Sequence, residues 1–203
     1  MPGSGIAAIV LAAGGARRMG TPKMLCPLHG RPLVRHAVDA VLGSMADTCC
    51  VVAGDAHAGI RAALRGTGAR VVHHPGWEAG MASSLRAGLA AVGACEAVIV
   101  VLGDQPRLTA PIVDALIAQH RAGAPIVACD HGGGVSGPPV LFDRSRLGAL
   151  RALEGDHGAR ALLRDPAVER VPFPGGRDDV DTTVDLARLE AAPGGSEGCD
   201  VSD

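Results

Sequence analysis

No apolar run in the sequence approaches the roughly 20 residues that a membrane-spanning helix needs. The apolar stretch from Ile6 to Ala13 also lacks the basic residues that precede a signal-peptide core. The expectation is a cytoplasmic protein with no membrane contact. No basic block or acidic run lies behind the net charge of -2, so an extended phosphate-backbone footprint for nucleic acid is not expected and any anion site must be local. The six cysteines (Cys26, Cys49, Cys50, Cys95, Cys129 and Cys199) show no CxxC spacing, and four of them sit inside or beside apolar runs. That pattern points to buried reduced thiols rather than to a metal site or a disulfide framework. Lysine is nearly absent: Lys23 stands alone among 19 basic residues, the rest being arginine. Arginine offers a flat fork and lysine a compact point charge, so a lone lysine in an arginine-rich chain marks a position where a fork would not serve.

What is present is an ordinary globular composition, 47% apolar and 20% charged over 203 residues. One domain is expected over residues 1–192, followed by a tail, 193–203, with so little to bury that it is expected to be disordered. Short apolar runs begin at Ile6, Thr48, Ala69, Glu96, Ala124 and Pro138, and helix-compatible stretches begin at Pro32, His57, Met81 and Thr109. Strands alternating with helices predict an α/β, three-layer fold, a mostly parallel sheet with helices on both faces. Thr109 with Pro111 reads as a helix start and Gly123 as its stop. The glycine- and proline-rich segment HGGGVSGPPVLF reads as a loop entering a short strand, a candidate for antiparallel pairing. Helices are expected to resume near Ser145 and Gly158. A last strand from Glu169 leads to a final helix capped by Thr182 or Thr183.

The first candidate site is the loop after the first apolar run, LAAGGARRMGTPK. It is not a Walker A loop, because Thr21 and Pro22 intervene between Gly20 and Lys23, and it is not GxGxxG, because Gly14 and Gly15 are adjacent. Small residues there allow backbone N–H groups to approach a phosphate chain, and Arg17, Arg18 and Lys23 follow at the strand's carboxyl edge, where open parallel sheets bind ligands. A solvated surface turn stays open as the plainer reading. The second is VIVVLGDQP, which delivers Asp104 to the same edge; it suits a metal ligand or a turn residue alike. The third, DDVDTTVDL, crowds Asp178, Asp179 and Asp181 and demands a cation among or beside them, unless they are simply solvated at a helix start. The fourth, HHPGWEAGMASSLRAGL, places Gly80, Ser83 and Ser84 at a helix start, as caps or as partners of a base or ribose.

Taken in order, these segments resemble the signatures of the MobA-like NTP transferase family, and within it the molybdenum cofactor cytidylyltransferases. The opening loop is similar to LAAGxSxRMGxxK, with Ala16 in place of the usual Ser. VIVVLGDQP carries GDxP, DDVDTTVDL resembles DIDTxxDL, and HHPGWEAGMASS resembles NPxWxxGMxxS with His74 in place of Asn. GVSGPPVLF and LEGDHGARALL resemble GxxGxPxxF and LxGDxGAR, and the whole resemblance spans residues 6 to 189. It implies a Rossmann-like nucleotidyltransferase fold whose opening loop wraps a nucleoside triphosphate. Leu11, Ala12, Ala13, Gly14 and Gly15 would then surround the nucleotide together with Gly80, Ser83 and Ser84. Arg18 and Lys23 would act on the phosphates, Asp104 and Asp181 would hold Mg2+ (Mn2+ as the alternative), and Gly137, Pro139 and Asp156 would shape the acceptor side.

LAAG with GDxP favours CTP over the GTP of LAGG-type relatives, with a phosphate-bearing acceptor, the molybdenum-bound pterin cofactor, in the second pocket. A molybdoenzyme or an insertion chaperone would be a transient partner receiving the product. A same-fold transferase using GTP or another phosphate acceptor, and a non-catalytic cofactor chaperone, remain as alternatives.

Overall fold

A computed structural model describes residues 5–14, 22–155, 162–178, 180 and 182–191. In chain order its elements are β1 (Ile6–Ala12), a small hairpin of β2 (Pro27–Leu28) and β3 (Arg31–Pro32), α1 (Leu33–Leu42), β4 (Thr48–Ala53), α2 (His57–Ala63), β5 (Arg70–His73), α3 (Met81–Val92), β6 (Ala97–Leu102), α4 (Ala110–Arg121), β7 (Ile126–Asp130), β8 (Ser136–Asp143), α5 (Leu147–Arg151), β9 (Val168–Pro172) and α6 (Thr183–Ala191). Seven strands form one sheet in the order β5-β4-β1-β6-β8-β7-β9, and only β8 runs against its neighbours. The expected three-layer, mostly parallel sheet is present.

The reason is legible in β1, where every residue is buried. Ile6, Ala8, Val10 and Ala12 join a core with residues of α1, α2 and α4, whereas Ala7, Ile9 and Leu11 join a second core with residues of α3 and α5. Alternate side chains feed opposite faces, so a strand covered on both sides must be apolar throughout. From β1 the chain winds outward through β4 to β5, then returns to place β6 on the other side of β1. That reversal opens a crevice at the carboxyl ends of β1 and β6.

The segment read as antiparallel is antiparallel, and its strand begins before the apolar run because Ser136 and Gly137 also belong to it. Thr109 occupies the N-cap of α4 with extended backbone, yet its hydroxyl makes no capping hydrogen bond, while Pro111 sits in the first turn. At α6 the cap is Thr182: its N–H and hydroxyl donate to Asp185 Oδ2, and the Asp185 N–H donates to Thr182 Oγ1, a reciprocal box. The β2–β3 hairpin carried no period to read. It turns on His29 (φ 47°) and Gly30 (φ 73°), the pair of left-handed residues that a two-residue hairpin requires. Leu28 and Leu33 then pack with Val180 and Leu189, which docks α6 against the hairpin. The helix expected at Gly158 and the tail from 193 lie outside the described residues.

Cys26, Cys49, Cys50, Cys95 and Cys129 are all buried and in no disulfide, as their apolar settings suggested; Cys199 lies outside the described residues. Burial pushes the Cys49 and Cys129 thiols up to about 12. Both are therefore expected to resist a thiol reagent in the native protein at pH 8 and to react once denaturant is added; rapid native labelling at either position would contradict their placement. A raised thiol pKa stabilises the fold fully below the ordinary thiol value of about 8.5, and that contribution is lost as pH climbs from there toward about 12.

Candidate functional site

Three segments converge on the crevice. After β1 the chain continues through Ala13 to Gly14, and after β6 it presents Asp104. Between them stands a short 3-10 turn, Lys23–Leu25, closed by the Leu25 N–H donating to the Pro22 carbonyl at 2.8 Å. Met24 of that turn is buried in the core, where the turn packs against α1 and α2, and anchoring it leaves Lys23 to face the crevice. The Lys23 Nζ lies 2.6 Å from Asp104 Oδ2, with only 18% and 16% of the two side chains exposed. A charge-assisted contact of this length is worth about 1.5–3 kcal/mol. It also sets a compact cation beside a carboxylate where two strands end.

Both residues line a cleft of about 440 Å³ together with Leu11, Ala13 and Gly14 of the first loop. The cleft is also lined by Trp77, Glu78, Gly80, Met81 and Ser84, so the amino end of α3 opens onto the same space. A helix amino terminus and an ammonium lining one space favour an anion there. Trp77 is held by contact with Gly54, where an added Cβ would lie 2.6 Å from Trp77 Cγ and 2.6 Å from the Ala13 carbonyl. Gly54→Ala is accordingly expected to destabilise the protein by about 1–3 kcal/mol through overpacking, read as a lower urea midpoint. An unchanged midpoint would mean that this wall can give way.

The structure sorts the sequence candidates. Leu11, Ala13, Gly14, Lys23, Gly80, Ser84 and Asp104 line one cleft, and Ala12 lies in the core directly beneath it. Ser83 does not line it: its hydroxyl donates to the Gly80 carbonyl at 2.7 Å and sits 3.0 Å from His74 Nε2, which is then the donor of that pair. The histidine in place of the family's asparagine thus holds Ser83 against the turn. Gly137 and Pro139 lie at the start of β8; because β8 runs against β6 and Val100 pairs with Val140, they reach the same end of the sheet as Asp104.

Gly15, Arg18, Asp156 and Asp181 lie outside the described residues. Of the segment holding Asp181, Val180 is buried and its N–H donates to the Asp104 carbonyl at 3.4 Å. Asp178 has the cation its crowding called for: Arg107 Nε at 2.6 Å, with Arg188 Nη2 at 3.8 Å. Sequence reasoning singled out neither Arg107 nor Glu78, since a lone charge in a turn carries no spacing signal.

Among the described residues, no group of three His, Cys, Asp or Glu could hold a metal ion. Among the described residues the cleft offers two carboxylates, Glu78 and Asp104, the second already in contact with a cation. That suits a Mg2+-class ion that arrives on phosphates and takes one or two protein carboxylates, and it does not suit a resident ion in a protein cage.

A sheet wound outward from a central strand, with a lysine, an aspartate and a helix amino terminus converging at its reversal point, defines a nucleotide-handling α/β protein. The chain belongs to the MobA-like NTP transferase domain family, which it matches over residues 8–171. Nicotine blue oxidoreductase of Paenarthrobacter nicotinovorans is 32% identical over 166 residues, covering 78% of this chain and 81% of that protein. Purine catabolism protein PucB of Bacillus subtilis is 29% identical over 204 residues, covering 91% and 95%. Among solved structures, Rv0371c of Mycobacterium tuberculosis H37Rv superposes with a TM-score of 0.81 at 30% identity, covering 93% of this chain and 99% of that one. Rv0371c has also been solved as a complex with manganese.

Proposed function

We propose that the protein transfers CMP from CTP to a phosphate-bearing acceptor, the molybdenum-bound pterin cofactor, with release of pyrophosphate. The observation that carries this reading is the Lys23–Asp104 pair at 2.6 Å on the wall of the switch-point cleft, in a chain of the NTP transferase family. An acceptor phosphate oxygen attacks the α-phosphorus of the triphosphate, and the bond to the bridging oxygen of the β-phosphate breaks. The acceptor needs no general base, because a phosphate monoester is already ionised near neutral pH. Lys23, with Arg18, takes up the charge that develops on the leaving pyrophosphate, and the walls formed by Trp77 and α3 hold the nucleoside in place.

Asp104 and Asp181 would hold the divalent ion, Mg2+ or Mn2+, which when bound offsets phosphate charge; the manganese complex of Rv0371c supports divalent metal use. The choice of CTP rests on the LAAG and GDQP segments. Among the described residues no helix is long and apolar enough to cross a membrane. A transient encounter with a molybdoenzyme or insertion chaperone would hand on the product.

Purified protein with Mg2+ and the molybdenum-bound pterin is expected to release pyrophosphate faster from CTP than from GTP, ATP or UTP. Faster turnover of GTP would overturn the nucleotide assignment. No turnover, with Trp77 fluorescence still titrating on triphosphate addition, would favour a cofactor chaperone. The name of one relative, an oxidoreductase, supplies a further arm: consumption of NADH or NADPH without turnover of any triphosphate would favour redox chemistry in this fold.

A further inference from the structure

The ladder between β6 and β8 ends at Val100 and Val140, short of the crevice. Beyond it β8 carries Pro138 and Pro139, which have no N–H to donate. The register with β7 jumps at the same place, from Ala128 opposite Val140 to Cys129 opposite Gly137, so the two prolines bulge out of that ladder as well. The Pro138 carbonyl is taken up instead by two side chains. Gln105 Nε2 donates to it at 2.9 Å from the β6 side, and His131 Nε2 lies 2.8 Å from it on the β7 side.

Both side chains are enclosed, Gln105 at 1% and His131 at 8% exposure. The His131 ring stands edge-on to Phe173 and fits between two glycines: a Cβ at Gly176 would lie 2.3 Å from His131 Cδ2, and one at Gly137 would lie 3.1 Å from His131 Cε1. Gln105 follows Asp104 directly in the chain. Its other amide atom, Oε1, is buried with no hydrogen-bond partner among the described residues. A buried orphan acceptor is a cost that an apolar side chain of the same length would avoid, so stability alone does not account for a glutamine here.

We propose that Gln105 is a positioning residue for nucleotidyl transfer: by tying the Asp104 turn to the Pro138 carbonyl where the sheet ladder has stopped, it sets the spacing between the triphosphate side and the acceptor side of the site. This rests on the proposed function, since it takes Asp104 as the phosphate and metal side and Gly137 with Pro139 as the acceptor side. Misplacing two reactants by about 1 Å can cost around 100-fold in rate while each still binds.

The test uses Gln105→Met, which keeps the length, leaves Pro138 its contact with His131 and removes the orphan acceptor. The expected result is a kcat reduced about 10- to 100-fold, with KM for CTP and Trp77-monitored CTP binding unchanged and a urea midpoint equal to or above wild type. Amide hydrogen exchange should rise in segments 101–105 and 136–140. Gly176→Ala, which displaces His131 from the far side of the same carbonyl, should lower kcat in the same selective way. Wild-type kcat and wild-type exchange in folded Gln105→Met would overturn the proposal, as would a loss of activity that only follows a lowered midpoint. If wild-type protein transfers no nucleotide, the proposed function has failed; unchanged exchange in Gln105→Met then overturns the tie separately, and raised exchange supports it.

Discussion

Asp104→Asn is expected to lower nucleotidyl transfer by about 100- to 1,000-fold or more, the scale on which single preorganised charge-stabilising groups act. Asparagine fills the same space and can still accept from Lys23, so the turn after β6 keeps its shape. What disappears is the negative charge, on which a divalent ion would depend, of a carboxylate 2.6 Å from Lys23 Nζ. The stability change should be small by comparison, about 1 kcal/mol, the difference between a charge-assisted and a neutral hydrogen bond. Circular dichroism of the variant should match wild type, and raising Mg2+ should not restore turnover. Retained turnover would remove Asp104 from the reacting centre.

Lys23 carries the second large effect. Lys23→Met is expected to reduce transfer about 100- to 1,000-fold by removing the cation that faces the phosphates. Lys23→Arg is the sharper substitution. The lysine head occupies a mostly buried point beside Asp104, above the enclosed Met24, and a planar guanidinium is longer, wider and hydrogen-bonds as a fork. A loss of about 10- to 100-fold is expected with arginine, scaled to a misplaced but still charged group. Steady-state rates under saturating triphosphate measure it. If arginine supports wild-type rates, the single lysine in an otherwise arginine-only chain has no mechanistic meaning.

The parallel strands were legible because burial on both faces writes them as continuous apolar runs, and β1, β4 and β6 begin within a residue of the runs that announced them. The hairpin was not legible, because strands of two residues, two of them proline, carry no period. Much of the candidate site was readable from segment order, yet its geometry was not. Ser83 and Ser84 are neighbours in a capping sequence, but successive helical residues point about 100° apart. Only Ser84 reaches the cleft while Ser83 turns inward to His74, and no spacing rule foretells that phase. Gln105 looked like an ordinary residue of a GDxP segment. Its role depends on a carbonyl 33 residues away, at a bulge that only the assembled sheet creates.

On the proposed function, the cleft holding Lys23 and Asp104 breaks the bond between the α- and β-phosphates and passes the nucleotidyl group on. The fate of label from CTP carrying phosphorus-32 at the α or the γ position, with Mg2+ and the molybdenum-bound pterin present, tests it directly. The expected result is α label in the acceptor product and γ label in pyrophosphate. Label from the γ position appearing in the acceptor or in inorganic phosphate, with the α label left in a free nucleotide, would rule out nucleotidyl transfer.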